Sequence, residues 1–83
     1  MTLEQQIKFL EEALREYNQK MDDLVRRMRY CEVYMAENHS NRKIYGQAGR
    51  CIGDMNRDLI ALRKLTRDTY DRLNMLYEIQ RQR

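Results

Sequence analysis

Few side chains of this 83-residue chain have the chemistry for catalysis or metal binding. His39 is the single histidine, and Cys31 and Cys51 are the only cysteines. This set falls short of a four-ligand zinc site, and its spacing does not fit one. No serine–histidine–acid or cysteine–histidine arrangement can be drawn around His39, which lies in a run of polar residues. The sequence therefore predicts no catalytic residue, no metal site and no cofactor.

The glycines near the middle of the chain do not form a nucleotide-binding loop. Gly46, Gly49 and Gly53 lack the preceding strand and the following Lys-Ser/Thr pair that a phosphate loop uses. Acidic side chains of the first half fall mainly on solvent-facing helical positions, which is typical of a solvated surface. We therefore expect a protein that is not an enzyme and takes no small-molecule substrate.

The strongest pattern is a run of mostly apolar residues spaced alternately by three and four positions. Its members are Leu3, Ile7, Leu10, Leu14, Tyr17, Met21, Leu24, Met28, Cys31 and Met35. This heptad seam is typical of a long helix whose apolar face packs on another helix. Thr2 and Gln5 fit a capping box at its start. The pattern predicts a first helix over about residues 3–37.

A second seam with the same spacing follows four polar residues, Asn38, His39, Ser40 and Asn41. These residue types favour turns and helix caps, and either Ser40 or Asn41 would cap the next helix. The second seam consists of Tyr45, Ala48, Ile52, Met55, Leu59, Leu62, Thr66, Thr69, Leu73 and Leu76. It predicts a turn at about residues 38–41 and a second helix over about residues 42–80.

The short connection makes the two helices antiparallel neighbours. Folding the chain there places Met28 against Ile52 and Ile7 against Leu73, so apolar positions face each other. The sequence thus predicts one all-α domain over residues 1–83, an antiparallel, coiled-coil-like two-helix hairpin. Because two helices make a thin core, we expect the hairpin to assemble into a four-helix bundle or to dock on a partner.

The glycines leave an alternative open, because each glycine inside a helix costs about 1 kcal/mol relative to alanine. In that alternative the first helix runs to Tyr45, residues 46–53 form a loop, and Asp54 caps the second helix. In the hairpin, the small residues around Gly49 either pack locally or form a notch for a partner helix. We favour the hairpin and local packing.

Cys31 and Cys51 fall on adjacent turns of the facing helices. We expect both to be small buried hydrophobic side chains, with a disulfide as the alternative. Two cysteines do not make a disulfide framework, and neither a secretory signal nor a membrane-spanning stretch is visible. These features favour a cytoplasmic protein that makes no membrane contact.

Apolar side chains outside the seams are the main evidence for a partner. A wide apolar stripe is typical of a helix with neighbours on more than one side. The candidate partner-binding residues are Phe9, Val25, Tyr30, Val33, Tyr34, Tyr70 and Tyr77. The predicted function is a small protein–protein interaction module of the adaptor, co-chaperone or phage/viral-inhibitor type. It would bind a protein partner or itself, with a homodimer expected.

The net charge of +3 is distributed unevenly along the chain. Residues 1–25 carry three basic and six acidic side chains, whereas residues 26–50 carry six basic and two acidic ones. The basic side chains near the turn are Arg26, Arg27, Arg29, Arg42, Lys43 and Arg50. Beside tyrosines they could hold phosphates and stack bases, so nucleic-acid binding is the alternative function.

Overall fold

The computed structural model describes residues 1–83 as two antiparallel helices joined by a short turn. Helix α1 is Leu3–Glu37 and helix α2 is Arg42–Gln82. They pack on each other to form a rod of 63 × 18 × 15 Å. Its radius of gyration is 18.5 Å, against about 12 Å for a compact domain of this length. The predicted all-α helical hairpin is confirmed.

Both helices begin at the residues that the sequence indicated. The Gln5 N–H donates to Thr2 Oγ1 at 3.2 Å, and the Thr2 N–H donates to Gln5 Oε1 at 3.0 Å, which completes the capping box. The Ile44 N–H donates to Asn41 Oδ1 at 3.3 Å, so Asn41 rather than Ser40 caps α2. Helix α2 continues slightly past the predicted end at residue 80.

The glycines lie inside α2, so the alternative with a loop at residues 46–53 is wrong. None of them adopts a positive φ. A Cβ at Gly49 would meet Met35 Cε at 3.7 Å, whereas a Cβ at Gly46 or Gly53 would meet nothing within 4 Å. The expected local packing therefore applies at Gly49 and is wrong at Gly53, which faces open space, as does Gly46. Packing on α1 keeps this stretch helical despite its low helix propensity.

Burial is concentrated at the open end of the hairpin, the end opposite the turn. Leu3, Ile7, Leu14 and Leu73 form the buried cluster there. Leu59 is buried near the middle, and Ala48 alone is buried near the closed end, the end that carries the turn. Only 8 of 83 residues are buried, and no side chain is completely buried. The turn-proximal half is therefore held by partly exposed side chains.

The second seam departs from the expected burial at one position and holds polar residues at two buried ones. Tyr45 is 46% exposed, so Ala48 is the first buried residue of this seam. Thr66 and Thr69 are buried. Their hydroxyls donate to the carbonyl oxygens of Leu62 at 2.7 Å and Leu65 at 2.8 Å. These bonds satisfy the two hydroxyls within α2, which lets threonine occupy apolar positions of the seam.

Candidate interaction surface

Three grooves follow one another along one broad side of the hairpin, which we call the groove side. The open-end groove includes Phe9, Leu10, Arg72 and Leu76. The central groove includes Lys20, Asp23, Leu24, Asp58, Ala61, Leu62 and Leu65. The closed-end groove includes Tyr30, Cys31, Cys51, Asp54 and Met55. Arg27 lines both the central and the closed-end groove, so these two are continuous.

Heptad spacing explains why the grooves share one side. Phe9, Asp23 and Tyr30 are separated by multiples of seven residues on α1, and Cys51, Asp58 and Leu65 are separated likewise on α2. Residues at this spacing occupy the same side of a helix that follows a heptad seam. The groove side therefore runs the length of the rod.

The opposite side of the hairpin is more polar. A groove there is lined by Glu11, Leu14, Arg15, Asn18, Tyr70, Leu73, Asn74 and Tyr77. Burial of the Tyr77 ring raises the pKa of its hydroxyl, and the negative charge of the nearby Glu11 carboxylate raises it further. This side carries no continuous apolar strip.

The predicted partner-binding residues do not form a single face. Phe9, Tyr30 and Tyr34 lie on the groove side, where they are 60%, 75% and 43% exposed. The opposite side carries Val25 and Tyr77, which are half-buried, and Tyr70, which is 47% exposed. Val33 is exposed on the outer face of α1. The structure thus brings together the first three and separates them from the rest.

Three exposed apolar residues of α2 complete the groove side and were missing from the predicted set. They are Leu65, Met75 and Ile79. The signal that could have found Leu65 and Ile79 is their spacing from Cys51 in multiples of seven residues, because all three flank the second seam on the same edge, and Met75 lies one turn before Ile79. Because apolar residues were selected individually, the prediction did not group those that share this edge of α2.

The two cysteines lie close together but not in the core. Cys31 is half-buried, Cys51 is exposed, and both are free thiols lining the closed-end groove. The expectation that both are buried is therefore wrong for Cys51. The reason is positional, since Cys51 flanks the second seam on the groove side instead of belonging to it.

The basic residues near the turn are exposed and distributed around the rod. Arg26 lies 4.0 Å from Asp23 on its own helix. Arg27 lies on the groove side among aspartates. Arg29 is spaced by two heptads from Arg15 and so lies on the opposite side. The others are Arg42, Lys43 and Arg50 on α2. The structure brings all six to the closed half but not onto one face.

Ion pairs and polar clusters contribute little to the arrangement of the helices. The two salt bridges, Arg26–Asp23 and Arg81–Glu78, each join residues of the same helix. No ion pair joins the two helices.

No group of three His, Cys, Asp or Glu side chains is placed to hold a metal ion. No stretch of either helix has the length and apolarity of a membrane-spanning segment.

Comparison of the chain with protein-family models, with curated proteins and with solved structures finds no match. The features that bear on function are thus the groove side, its exposed aromatic and aliphatic side chains, and the charges between them.

Proposed function

We propose that this protein is a non-enzymatic interaction module that packs the groove side of its hairpin on a second copy, forming a four-helix bundle. The observation that carries the proposal is a solvent-accessible surface larger than that of a compact monomer of the same mass. The chain exposes 6881 Å². A compact monomer of its 10.2 kDa mass exposes about 5,300 Å². Surface of this extent on an elongated hairpin is what association with other helices would bury.

The types of residue that flank the seams support the groove side as the contact. The positions that flank the seams on the groove side are Gln6, Ala13, Lys20, Arg27, Tyr34, Cys51, Asp58, Leu65, Arg72 and Ile79, and five of these ten are apolar. Those on the opposite side are Glu4, Glu11, Asn18, Val25, Glu32, Gly49, Asn56, Arg63, Tyr70 and Tyr77, and three of these ten are large apolar or aromatic side chains. Burying the groove side thus gains more apolar contact than burying the opposite side would. We therefore expect the four-helix bundle to form through the groove side.

Sedimentation equilibrium tests the proposal with a pair of matched variants. Phe9→Asp and Tyr70→Asp each replace an exposed aromatic side chain by a carboxylate, the first on the groove side and the second on the opposite side. We expect the unmodified chain and Tyr70→Asp to form dimers. Phe9→Asp should weaken the dimer by tenfold or more, which corresponds to about 1.4 kcal/mol.

Circular dichroism on the same samples shows whether each variant is still helical. A helical, unmodified chain that stays monomeric up to about 100 μM, a concentration far above typical dissociation constants, would contradict self-association. Equal weakening by both variants would contradict the choice of side.

A further inference from the structure

We propose that the two copies stack end over end, groove side on groove side, with a two-fold axis crossing the central groove. This arrangement rests on the proposed self-association and specifies its geometry. The closed end of each copy then lies over the open end of the other. Because a two-fold interface uses the same patch twice, every contact across it has to pair one groove-side residue with another.

The grooves fix which residues of α1 and α2 lie at the same height along the rod. Leu10 and Arg72 share the open-end groove, and Cys31 and Cys51 share the closed-end groove. Lys20 and Leu62 share the central groove, near the midpoint of both helices. An axis through this point lets the two rods overlap along their full length.

The charges at the two ends of α2 favour this orientation. The end-over-end stack lays α2 antiparallel on α2 of the second copy, so residues equally distant from residue 63 face each other. Asp54 in the closed-end groove then faces Arg72 in the open-end groove. Neither side chain forms an ion pair within its own chain. Each dimer would gain two such opposite-charge contacts.

Apolar residues of α2 pair about the same centre. Leu65 faces Ala61 near the axis, and Met75 faces Cys51 toward each end. Met75 is 68% exposed and Leu65 is 44% exposed in the single hairpin. One axis position thus accounts for both apolar pairs and for the charge pair.

Helix α1 pairs with itself at the same height. Phe9 faces Tyr30 of the second copy, and the midpoint of these two positions is level with Lys20. Both rings are more than half exposed in the single hairpin. Aromatic pairs of this kind contribute free energy beyond the burial of their area. Glu16 and Asp23 meet near the axis, where Lys20 of each copy offsets their repulsion.

The other two-fold stack, with both closed ends together, pairs unlike surfaces. It lays α1 of one copy on α2 of the other at equal height. Leu65 would then face Glu16, and Asp58 would face Asp23. Burying a carboxylate against an aliphatic side chain costs desolvation, and two facing aspartates repel. The end-over-end stack avoids the contact of Leu65 with a carboxylate, which distinguishes the two stacks, and its own facing aspartates are Asp58 and Asp68 of the second copy.

The size of the groove side is sufficient for a stable dimer. The broad face of the rod measures 63 × 18 Å. Its area of about 1,100 Å² exceeds the roughly 800 Å² per partner that a specific interface buries. An interface of that size uses about seven-tenths of the face, which the end-over-end overlap provides.

Disulfide trapping tests the arrangement with the native Cys51. In a Cys31→Ser background, Met75→Cys places a second thiol where the stack puts it against Cys51 of the other copy. Within one chain these positions are 24 residues apart, about 36 Å along the helix, so they bond only between chains. The control is Cys31→Ser with Asn74→Cys, which moves the thiol one residue off the groove side.

After mild oxidation we expect the Met75→Cys chain to run mainly as a covalent dimer on non-reducing gels, at least tenfold more than the Asn74→Cys control. Equal cross-linking of the two chains, or none in a sample that sedimentation shows to be dimeric, would overturn the end-over-end stack. In that case the proposed self-association would still stand.

A charge exchange gives a second readout on the uncross-linked protein. Asp54→Arg and Arg72→Asp should each weaken the dimer tenfold or more. The double variant, and an equimolar mixture of the two single variants, should recover it, because each restores opposite charges at both contacts. Failure to recover would overturn the pairing. A chain that is monomeric throughout, or whose groove side binds only a different protein, would overturn both the stack and self-association.

Discussion

Gly46 and Gly53 weaken α2 without any contact that requires a glycine. A Cβ at either position would meet no atom within 4 Å, and glycine in a helix interior costs about 1 kcal/mol relative to alanine. Gly46→Ala and Gly53→Ala should therefore each raise the free energy of unfolding by about that amount, measured by urea unfolding followed by circular dichroism. A destabilising result at either position would show that another surface lies against it.

Tyr77 provides a pH-dependent contribution to folding. Burial and the Glu11 carboxylate raise the pKa of its hydroxyl above 10.0 and so favour the neutral form in the folded chain. Because the folded-state pKa is the higher one, this contribution is complete below the ordinary tyrosine value and is lost as pH rises through the folded value. Absorbance titration at 295 nm should lose its most alkaline component in Tyr77→Phe.

Glu11→Gln is the control for the cause of that shift. Removing the carboxylate charge should move the most alkaline component toward the ordinary tyrosine range without abolishing it, since burial also contributes. A titration curve identical to that of the unmodified chain would exclude any role for Glu11.

At the scale of single residues, the sequence predicted the caps well and exposure poorly. The capping box and the Asn41 cap depend on local hydrogen bonds, which neighbouring residue types determine. Exposure of Tyr45 and Cys51 depends on which edge of the seam faces the other helix. That edge is a property of the assembled pair, because a straight helix drifts from a strict heptad.

At the scale of the helices, substitutions in the buried open half should lower the free energy of unfolding more than substitutions in the closed half. Leu73 is 3% exposed in the open half, whereas Ile52 is half-buried in the closed half. Leu73→Ala should lower the free energy of unfolding by about 2–5 kcal/mol, and Ile52→Ala by clearly less. Urea unfolding in the Phe9→Asp background would compare them without association. Equal losses would contradict the open-end core.

The sequence predicted both helices and their antiparallel order because two heptad seams and a short polar connection leave few other solutions. The uncertainty at the glycines had a physical origin. Helix propensity alone argues for a loop at residues 46–53, and tertiary contact through Ala48 overrides it. The groove side was not predicted, since the list of exposed apolar residues mixed the two sides of the rod and left out Leu65 and Ile79, which heptad spacing places on one edge.

At the scale of the whole molecule, association should make thermal unfolding depend on concentration. A dimer that unfolds to single chains gains about 1.4 kcal/mol for each tenfold rise in concentration. The melting temperature followed by circular dichroism should therefore rise with concentration for the unmodified chain and stay constant for Phe9→Asp. A constant melting temperature for both would show that the hairpin unfolds alone.

In a rod 63 Å long, the uneven charge of the chain places its basic segment at one end. Residues 26–50, with their excess of four positive charges, occupy the closed end. Two rods stacked end over end carry these ends at opposite tips, roughly 60 Å apart. Each basic closed end would then lie along residues 1–25 of the other copy, which carry three basic and six acidic side chains. The uneven charge within one chain would thus become a complementary charge between two chains.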